Sequence, residues 1–191
     1  VAKSESEKSS NKPEIKSVIK EKSFKRVTED FDIVTNSEWV GSDDFQFVNA
    51  VVIRAPLKYS RPKIMDFNLY PNMSDAIKKF EYDPSTQIVE LIGEAGGLRM
   101  HSWLKVDQSY WDEIHYDVVK GDMLGLQVAA YLWDFQGKTF AFAKGTWPHG
   151  RSAFSSVVAA IFKPLSEVVI GVATKKFRRY IEEEYKKEFK K

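Results

Sequence analysis

The chain has 191 residues, of which 43% are hydrophobic, 29% charged and 14% aromatic, so it can bury the core of one globular domain. It contains no cysteine, which excludes disulfides, thiolate zinc sites and a cysteine nucleophile. Its 29 basic and 27 acidic residues leave a net charge of +2, so bulk charge gives no support for binding to nucleic acid.

The first 23 residues are rich in Ser, Lys and Glu and carry almost no large apolar side chains. Such a segment cannot bury enough surface to offset its ordering entropy, so residues 1–23 are predicted to be a flexible polar tail, with a marginal helix over Glu14–Lys22. The tail begins with Val1 and resembles what remains after a signal peptide is removed. This slightly favours an exported protein over a cytoplasmic one, and the lack of cysteine fits both. Residues 24–191 are predicted to form a single domain.

The first clear strand is the segment FQFVNAVVIRA, which begins at Phe45. Both of its alternating faces are largely apolar, which indicates that both are covered, and Pro56 ends it. The looser apolar pattern from Phe24 to Trp39 fits a helix and a strand equally well.

Two short helices are predicted after this strand. Ser60 is predicted to cap the first helix, and Pro62, two residues later, is tolerated in a first helical turn. The apolar residues of this helix run from Ile64 to Leu69, and it ends before the next proline. A second helical turn is predicted over Met73–Ile77.

Six further strands are predicted, at intervals of roughly ten residues and separated by turn signals. Strands with such short connections predict an antiparallel meander. Gly93–Gly97 is glycine-rich but precedes a strand, not a helix, so it is interpreted as a hairpin turn and not as a phosphate-binding loop. The predicted strands are Lys78–Tyr82, Gln87–Glu94, Leu98–Val106, Tyr110–Val119, Leu124–Phe135 and Thr139–Trp147.

The terminal segment Ser152–Lys187 has helical periodicity. Ser152 can cap this helix, and Pro164 is expected to bend it. Lys163 and Glu167 lie near the centre of its apolar part, so no transmembrane span is predicted. Its apolar residues recur at steps of three and four and form a stripe expected to face the sheet, consisting of Phe154, Val158, Ile161, Leu165, Val168 and Val172.

This order of elements predicts an α+β fold in which a curved antiparallel sheet of about seven strands wraps around the terminal helix. The helix spans roughly 45 Å for about 30 residues and is the predicted element long enough to cover the meander. In Val51–Pro71 a strand is followed by Ala-Pro, a short apolar helix and a proline-containing loop. Together with the terminal helix, this segment resembles the START-like helix-grip (SRPBCC) superfamily of lipid-transfer domains, birch-pollen-allergen-like proteins and polyketide cyclases. The resemblance implies a cavity for apolar ligands between sheet and helix.

The parity of the strands predicts which side chains face this cavity. Most strands have one apolar set and one charged set, but the alternation of Phe140 and Phe142 with alanines does not indicate which pair faces inward. The inward polar groups could orient a lipid head group or a carbonyl, and the apolar ones could equally fill a solid core. The predicted ligand-binding residues are Met100, Ser102, Leu104, Asp112, Ile114, Tyr116, Leu126, Val128, Ile161 and Leu165.

Catalytic and metal chemistry receive little support from the sequence. His101 and His115 fall on outward faces, where a metal site with Glu113 and Asp117 is conceivable if their strands pair. Exposed histidines beside acids are more typical of a solvated sheet, so no metal site, cofactor or catalytic residue is predicted. His149 precedes the terminal helix and is the best single acid–base candidate at a pocket mouth.

The end of the terminal helix carries a basic cluster diluted by glutamates. This pattern fits a solvated helix end whose lysines interact favourably with the helix dipole. It also fits contact with an anionic membrane surface, which would suit lipid delivery. The cluster comprises Lys175, Lys176, Arg178, Arg179, Lys186, Lys187, Lys190 and Lys191.

Three functions remain open from the sequence. The leading hypothesis is non-catalytic binding or transfer of a lipid or other hydrophobic small molecule. The second is an enzyme of the cyclase or dehydratase kind that uses Tyr116, Asp112 or His149 as acid–base groups in the same cavity. The third is a closed domain that binds another protein and holds no ligand.

Overall fold

A computed structural model describes residues 13–15, 18–150 and 156–189. Residues 1–12 of the predicted tail, the Ser152 cap, Phe154 and the last two lysines lie outside the described residues. The elements are α1 (Glu21–Thr28), β1 (Val34–Val40), β2 (Asp44–Ile53), α2 (Leu57–Ile64), a 3-10 helix (Phe67–Asn72), β3 (Ile77–Asp83), β4 (Ile88–Ala95), β5 (Leu98–Asp107), β6 (Glu113–Gly121), β7 (Gln127–Phe135), β8 (Lys138–Trp147) and α3 (Ser156–Phe189).

The strands form one antiparallel sheet in the order β1-β2-β8-β7-β6-β5-β4-β3. This sheet and the long α3 confirm the predicted helix-grip α+β fold and its six-stranded meander. The described sheet has eight strands because Val34–Val40, left undecided by the sequence, pairs with β2. The two short helices therefore follow the second strand and not the first.

The inner face of the sheet, meaning the face toward α3, is joined to the helix at the β1–β2 edge. The Ser37 backbone N–H and hydroxyl donate to the Glu167 carboxylate at 2.8 and 2.9 Å. The Asn49 side-chain amide donates to the Thr174 hydroxyl at 2.8 Å. These bonds fix both the position and the rotation of α3, which packs mainly on β1, β2 and α2.

The outer face of the sheet is covered by α1. Val27 of α1 packs on Val52 and Phe140, and all three side chains are fully buried. Phe140 and Phe142 therefore point outward, which settles the choice that the sequence left open. Because α1 begins at Glu21, it crosses the predicted tail boundary at residue 23.

Two short helices follow the first recognised strand as predicted, but the predicted Ser60 cap and the helical turn over Met73–Ile77 are wrong. Helix α2 begins at Leu57, directly after Pro56, so Ser60 is not its cap but a fully buried residue whose hydroxyl donates to the Ala55 carbonyl. Pro56 is the N-cap residue of this helix, with the non-helical angles φ −60° and ψ 149°. Met73–Ile77 is not helical. The Ser74 hydroxyl accepts the Ala76 amide and the Ser74 carbonyl accepts the Ile77 amide, which closes a turn into β3.

The predicted sheet-facing stripe of α3 is also partly wrong. Ile161, Val168 and Val172 are 46%, 62% and 44% exposed. The amphipathic pattern is weak because apolar side chains surround much of the first half of this helix. The hydrogen bonds of Glu167 and Thr174 instead select the face that is turned to the sheet. Among the described residues, no helix is long and apolar enough to cross a membrane.

Candidate functional site

A cavity of about 510 Å³ lies between the inner face of the sheet and α3. Pockets that hold small molecules typically have volumes of about 300–1,000 Å³. The cavity exists because α3 is held on the β1–β2 side, so the helix stands off from the inner face of the remaining strands.

Most of the predicted ligand-binding residues lie in the wall of this cavity. Their strands alternate as predicted, with one set of side chains turned toward α3 and the other away from it. The wall includes Met100, Leu104, Ile114, Tyr116, Leu126, Val128 and Leu165.

Three of the predicted residues do not line the cavity. Ser102 is fully buried in β5, where its hydroxyl accepts the Met123 amide at 3.3 Å. Asp112 lies in the loop before β6, because that strand begins at Glu113 and not at Tyr110. Ile161 lies on the exposed side of α3.

Several wall residues were missed by the sequence analysis. Asn49 shares the parity of Phe45 and Phe47 in β2, so strand alternation alone could have found it. Others come from the 3-10 helix, from β3 and from the face of α3 that its rotation turns to the sheet, for which the sequence gives no direct signal. They include Tyr70, Phe80, Phe162, Val169, Ala173 and Phe177.

Two phenols form the main polar feature of the wall. The Tyr116 hydroxyl donates to the Tyr70 hydroxyl, which in turn donates to the Ile64 carbonyl at 3.0 Å. Burial raises the pKa of Tyr116 well above its usual value, and burial also raises the pKa of Tyr70. Both phenols are therefore protonated at neutral pH and can donate or accept hydrogen bonds, but they cannot act as bases.

Most of the other polar side chains of the wall are bonded to protein groups; Arg178 donates to the Phe31 carbonyl at 2.7 Å, and Glu94 is exposed. The Asn49 amide lies between Thr35 and Thr174, whose hydroxyl donates to a carbonyl of its own helix. Ser166 donates to the Lys163 carbonyl, likewise within α3. Among the described residues no buried side-chain N or O atom lacks a hydrogen-bond partner. The wall therefore offers a ligand mainly apolar contact.

Aromatic rings pack at both ends of the cavity. Near the start of α3, the ring of Phe162 lies 5.0 Å from that of Phe45 and 6.0 Å from that of Trp147. Farther along, the ring of Tyr70 stacks on Phe80 at 4.5 Å and meets Phe177 edge-on at 5.1 Å. Rings in such contact restrict one another, so they give the cavity a defined shape.

The histidines lie outside this cavity. The sheet register places His101 opposite Ile92 and His115 opposite Asp107, so the two are not cross-strand neighbours and the conceivable metal site does not form. Over the described ranges no three metal-ligating side chains cluster. The His149 side chain is 81% exposed and lies 3.3 Å from the Asp43 carboxylate. Of the three acid–base candidates, Tyr116 alone lines the cavity.

The phenol pair makes a testable prediction about stability. Tyr70→Phe is expected to cost about 1–3 kcal/mol, because it leaves both the Tyr116 hydroxyl and the Ile64 carbonyl without their partner. Tyr116→Phe removes a donor and orphans no carbonyl, so we expect a cost of about 1 kcal/mol or less. Urea denaturation of both variants measures the difference. An equal or larger loss for Tyr116→Phe would contradict the direction of the two bonds.

Comparison with known proteins supports the fold. No protein-family model and no curated protein sequence matches the chain. Solved structures do match, including a START superfamily protein from Mycobacterium smegmatis, with a TM-score of 0.59 and 14% identity over 72% of this chain and 97% of that one. A protein from Thermus thermophilus matches with a TM-score of 0.60 and 11% identity, covering 71% of this chain and 96% of that one.

A third match is the di-domain ARO/CYC protein StfQ from the steffimycin biosynthetic pathway. Its TM-score is 0.52 with 9% identity, and the match covers 76% of this chain and 52% of that one. At such low identity these likenesses concern the fold alone. They confirm that the chain has the START-like helix-grip fold.

Proposed function

We propose that this helix-grip chain binds a hydrophobic small molecule, such as a lipid, in the cavity between the sheet and α3. The observation that carries the proposal is the cavity itself, about 510 Å³ of space lined mainly by apolar side chains, in which no buried side-chain N or O atom of the described residues lacks a hydrogen-bond partner. Filling such a space with an apolar molecule removes that molecule from water without breaking any hydrogen bond of the wall. Transfer of the bound lipid between membranes is a natural extension of this activity.

The wall favours recognition of a ligand by its apolar body. Each buried methylene group contributes about 0.8 kcal/mol, so ten of them give about 8 kcal/mol before the costs of association. The Tyr116 hydroxyl donates its proton to Tyr70, but its oxygen lone pairs remain available. It can therefore accept a hydrogen bond from a ligand hydroxyl or amide. We therefore expect a largely apolar ligand with at most a small polar group near Tyr116.

The two alternative functions are less well supported by the geometry. A cyclase-like or dehydratase-like reaction would use Tyr116 without Asp112 or His149, because those two residues lie outside the cavity. A domain without a ligand would be expected to have a filled interior, so a cavity of about 510 Å³ favours ligand binding over this alternative.

The proposal is tested by searching for a bound molecule and by direct titration. Native mass spectrometry and solvent extraction of gently purified protein should reveal co-purified lipid. After delipidation, the neutral fluorophore N-phenyl-1-naphthylamine should bind saturably at one site per chain, with a blue-shifted emission. Absence of both extracted lipid and saturable probe binding would overturn the proposal.

A further inference from the structure

Helix α3 carries an exposed apolar row, called here the outer stripe, which consists of Ile161, Val168 and Val172. Their exposed fractions are 46%, 62% and 44%. Residues spaced by seven and four lie on one side of a helix, because each residue turns it by about 100°. The stripe therefore forms one continuous line of aliphatic side chains on the outside of the molecule.

The outer stripe borders the cavity on the side away from the β1–β2 anchor. Leu165, one step around the helix, lines the cavity and packs on the turn between β4 and β5, where a Cβ atom on Gly96 would lie 3.2 Å from its Cδ2. Farther along the same side, the Lys176 ammonium lies 3.5 Å from the Asp75 carboxylate, which precedes β3. On this side the helix meets the far strands through exposed or apolar side chains, whereas the part-buried hydrogen bonds of Ser37 and Asn49 hold the opposite side.

Basic side chains continue the line of the outer stripe. Lys175 is exposed and follows Val172 by three residues, and the Arg179 side chain is 79% exposed one turn farther on. The Arg179 guanidinium forms a salt bridge with the Glu183 carboxylate at 3.1 Å, whereas Lys175 has no salt bridge among the described residues. An aliphatic row that leads into cations is complementary to an anionic lipid surface, in which acyl chains lie beneath negative head groups.

We propose that the outer stripe, together with Lys175 and Arg179, docks on an anionic lipid bilayer and turns the loosely closed side of the cavity toward it. This inference rests on the proposed function, since docking there would let a lipid pass between bilayer and cavity without crossing water. A lipid surface fits better than a protein partner, because the aliphatic row leads directly into the exposed cations Lys175 and Arg179, which matches acyl chains beneath anionic head groups.

Co-sedimentation with vesicles tests the apolar part of the surface. Val168→Ser with Val172→Ser should weaken binding to phosphatidylcholine vesicles containing phosphatidylserine by about tenfold or more. The matched control is Val119→Ser with Leu124→Ser, which removes two aliphatic side chains of 47% and 60% exposure outside α3. This control should bind the vesicles like the unaltered chain.

The basic part is tested by Lys175→Gln with Arg179→Gln. Each basic residue near an anionic surface contributes roughly fivefold in affinity, so the pair should lose about 25-fold, and pure phosphatidylcholine vesicles should bind the unaltered chain poorly. Lys58→Gln with Lys105→Gln changes the net charge equally at exposed positions outside α3 and should have a smaller effect. Equal binding to both vesicle types, or no loss for the stripe variants, would overturn the proposal.

Probe binding without vesicles separates this inference from the proposed function. Variants that keep full affinity for N-phenyl-1-naphthylamine but lose vesicle binding would support docking through the outer stripe. A chain that binds the probe but sediments with neither vesicle type would refute docking and leave the proposed function intact. Concentration-dependent dimers abolished by Val168→Ser with Val172→Ser would assign the stripe to a second copy of the chain and also refute it.

Discussion

Ala130→Phe is expected to weaken binding of N-phenyl-1-naphthylamine about a hundredfold while the chain stays folded. Ala130 lies in β7 opposite Ala143 and Ile114, and its side chain points into the cavity. If the added ring displaces contacts worth about four methylene groups, at about 0.8 kcal/mol each, the loss is about 3 kcal/mol, or roughly a hundredfold in affinity. Fluorescence titration measures it.

The neighbouring residue provides a matched control. Ala129 points to the outer face of the same strand, opposite Lys144 and His115, and lies outside the wall of the cavity. Ala129→Phe adds the same ring and leaves the cavity unchanged, so probe affinity should stay within about twofold of the unaltered chain. Its unfolding curve also shows how much an added ring costs in β7.

Stability measurements complete this test. Ala130→Phe should unfold at the same urea concentration as the unaltered chain or at a higher one, because a ring that fills existing space adds contacts. A folded Ala130→Phe that binds the probe with full affinity would place the probe outside this cavity. Such a result would contradict the proposed function at its central observation.

The strands were predictable because alternation is a direct property of a strand. Alternation in the segment Leu124–Phe135 predicts an inward set of Leu124, Leu126, Val128, Ala130 and Leu132. Of these, Val128, Ala130 and Leu132 pair with inward residues of β8, whereas Leu124 precedes β7 and is 60% exposed. No knowledge of neighbouring elements is needed for that prediction, since successive side chains of a strand alternate between its faces. The parity argument was sufficient for most of the cavity wall.

The rotation of α3 was not predictable in the same way. A helix with apolar side chains around much of its surface can bury several faces, and the choice depends on long-range contacts. Here Glu167 and Thr174 make that choice by bonding to β1 and β2, more than 120 residues away in sequence. In the sequence Glu167 served only as an argument against a membrane span. The apolar periodicity alone therefore assigned Ile161 and Val168 to the sheet-facing side, which is wrong.

The strand β1 and the helix α1 show a related difficulty. The sequence from Phe24 to Trp39 contains the end of a helix, a turn and a strand, so the two periodicities are mixed within one short window. What distinguishes them is the sheet itself, because Thr35 and Ser37 pair with β2 while Val27 packs on its outer face. The apolar character of both faces of β2 was the sequence signal that something covers the outside.

Phe140→Ala is expected to produce a large loss of stability, about 3–5 kcal/mol. Phe140 is fully buried, and the rings of Phe24, Trp133 and Phe135 surround it at 6.0, 5.6 and 6.3 Å. Truncation leaves a void beneath α1 that these rigid rings cannot readily fill. Urea denaturation measures the loss, and Phe140→Leu, with an expected cost of about 1–2 kcal/mol, provides a milder variant if the alanine form does not fold.

Leu124→Ala is the control, because Leu124 is 60% exposed and should cost about 0.5 kcal/mol or less. Since Phe140 lies on the outer face, the folded fraction of the Phe140 variants should bind N-phenyl-1-naphthylamine with unchanged affinity. A loss below about 1 kcal/mol for Phe140→Ala would mean that α1 does not cover the sheet in solution. In that case the two-sided burial of β2 would need another explanation, although the cavity on the inner face would be unaffected.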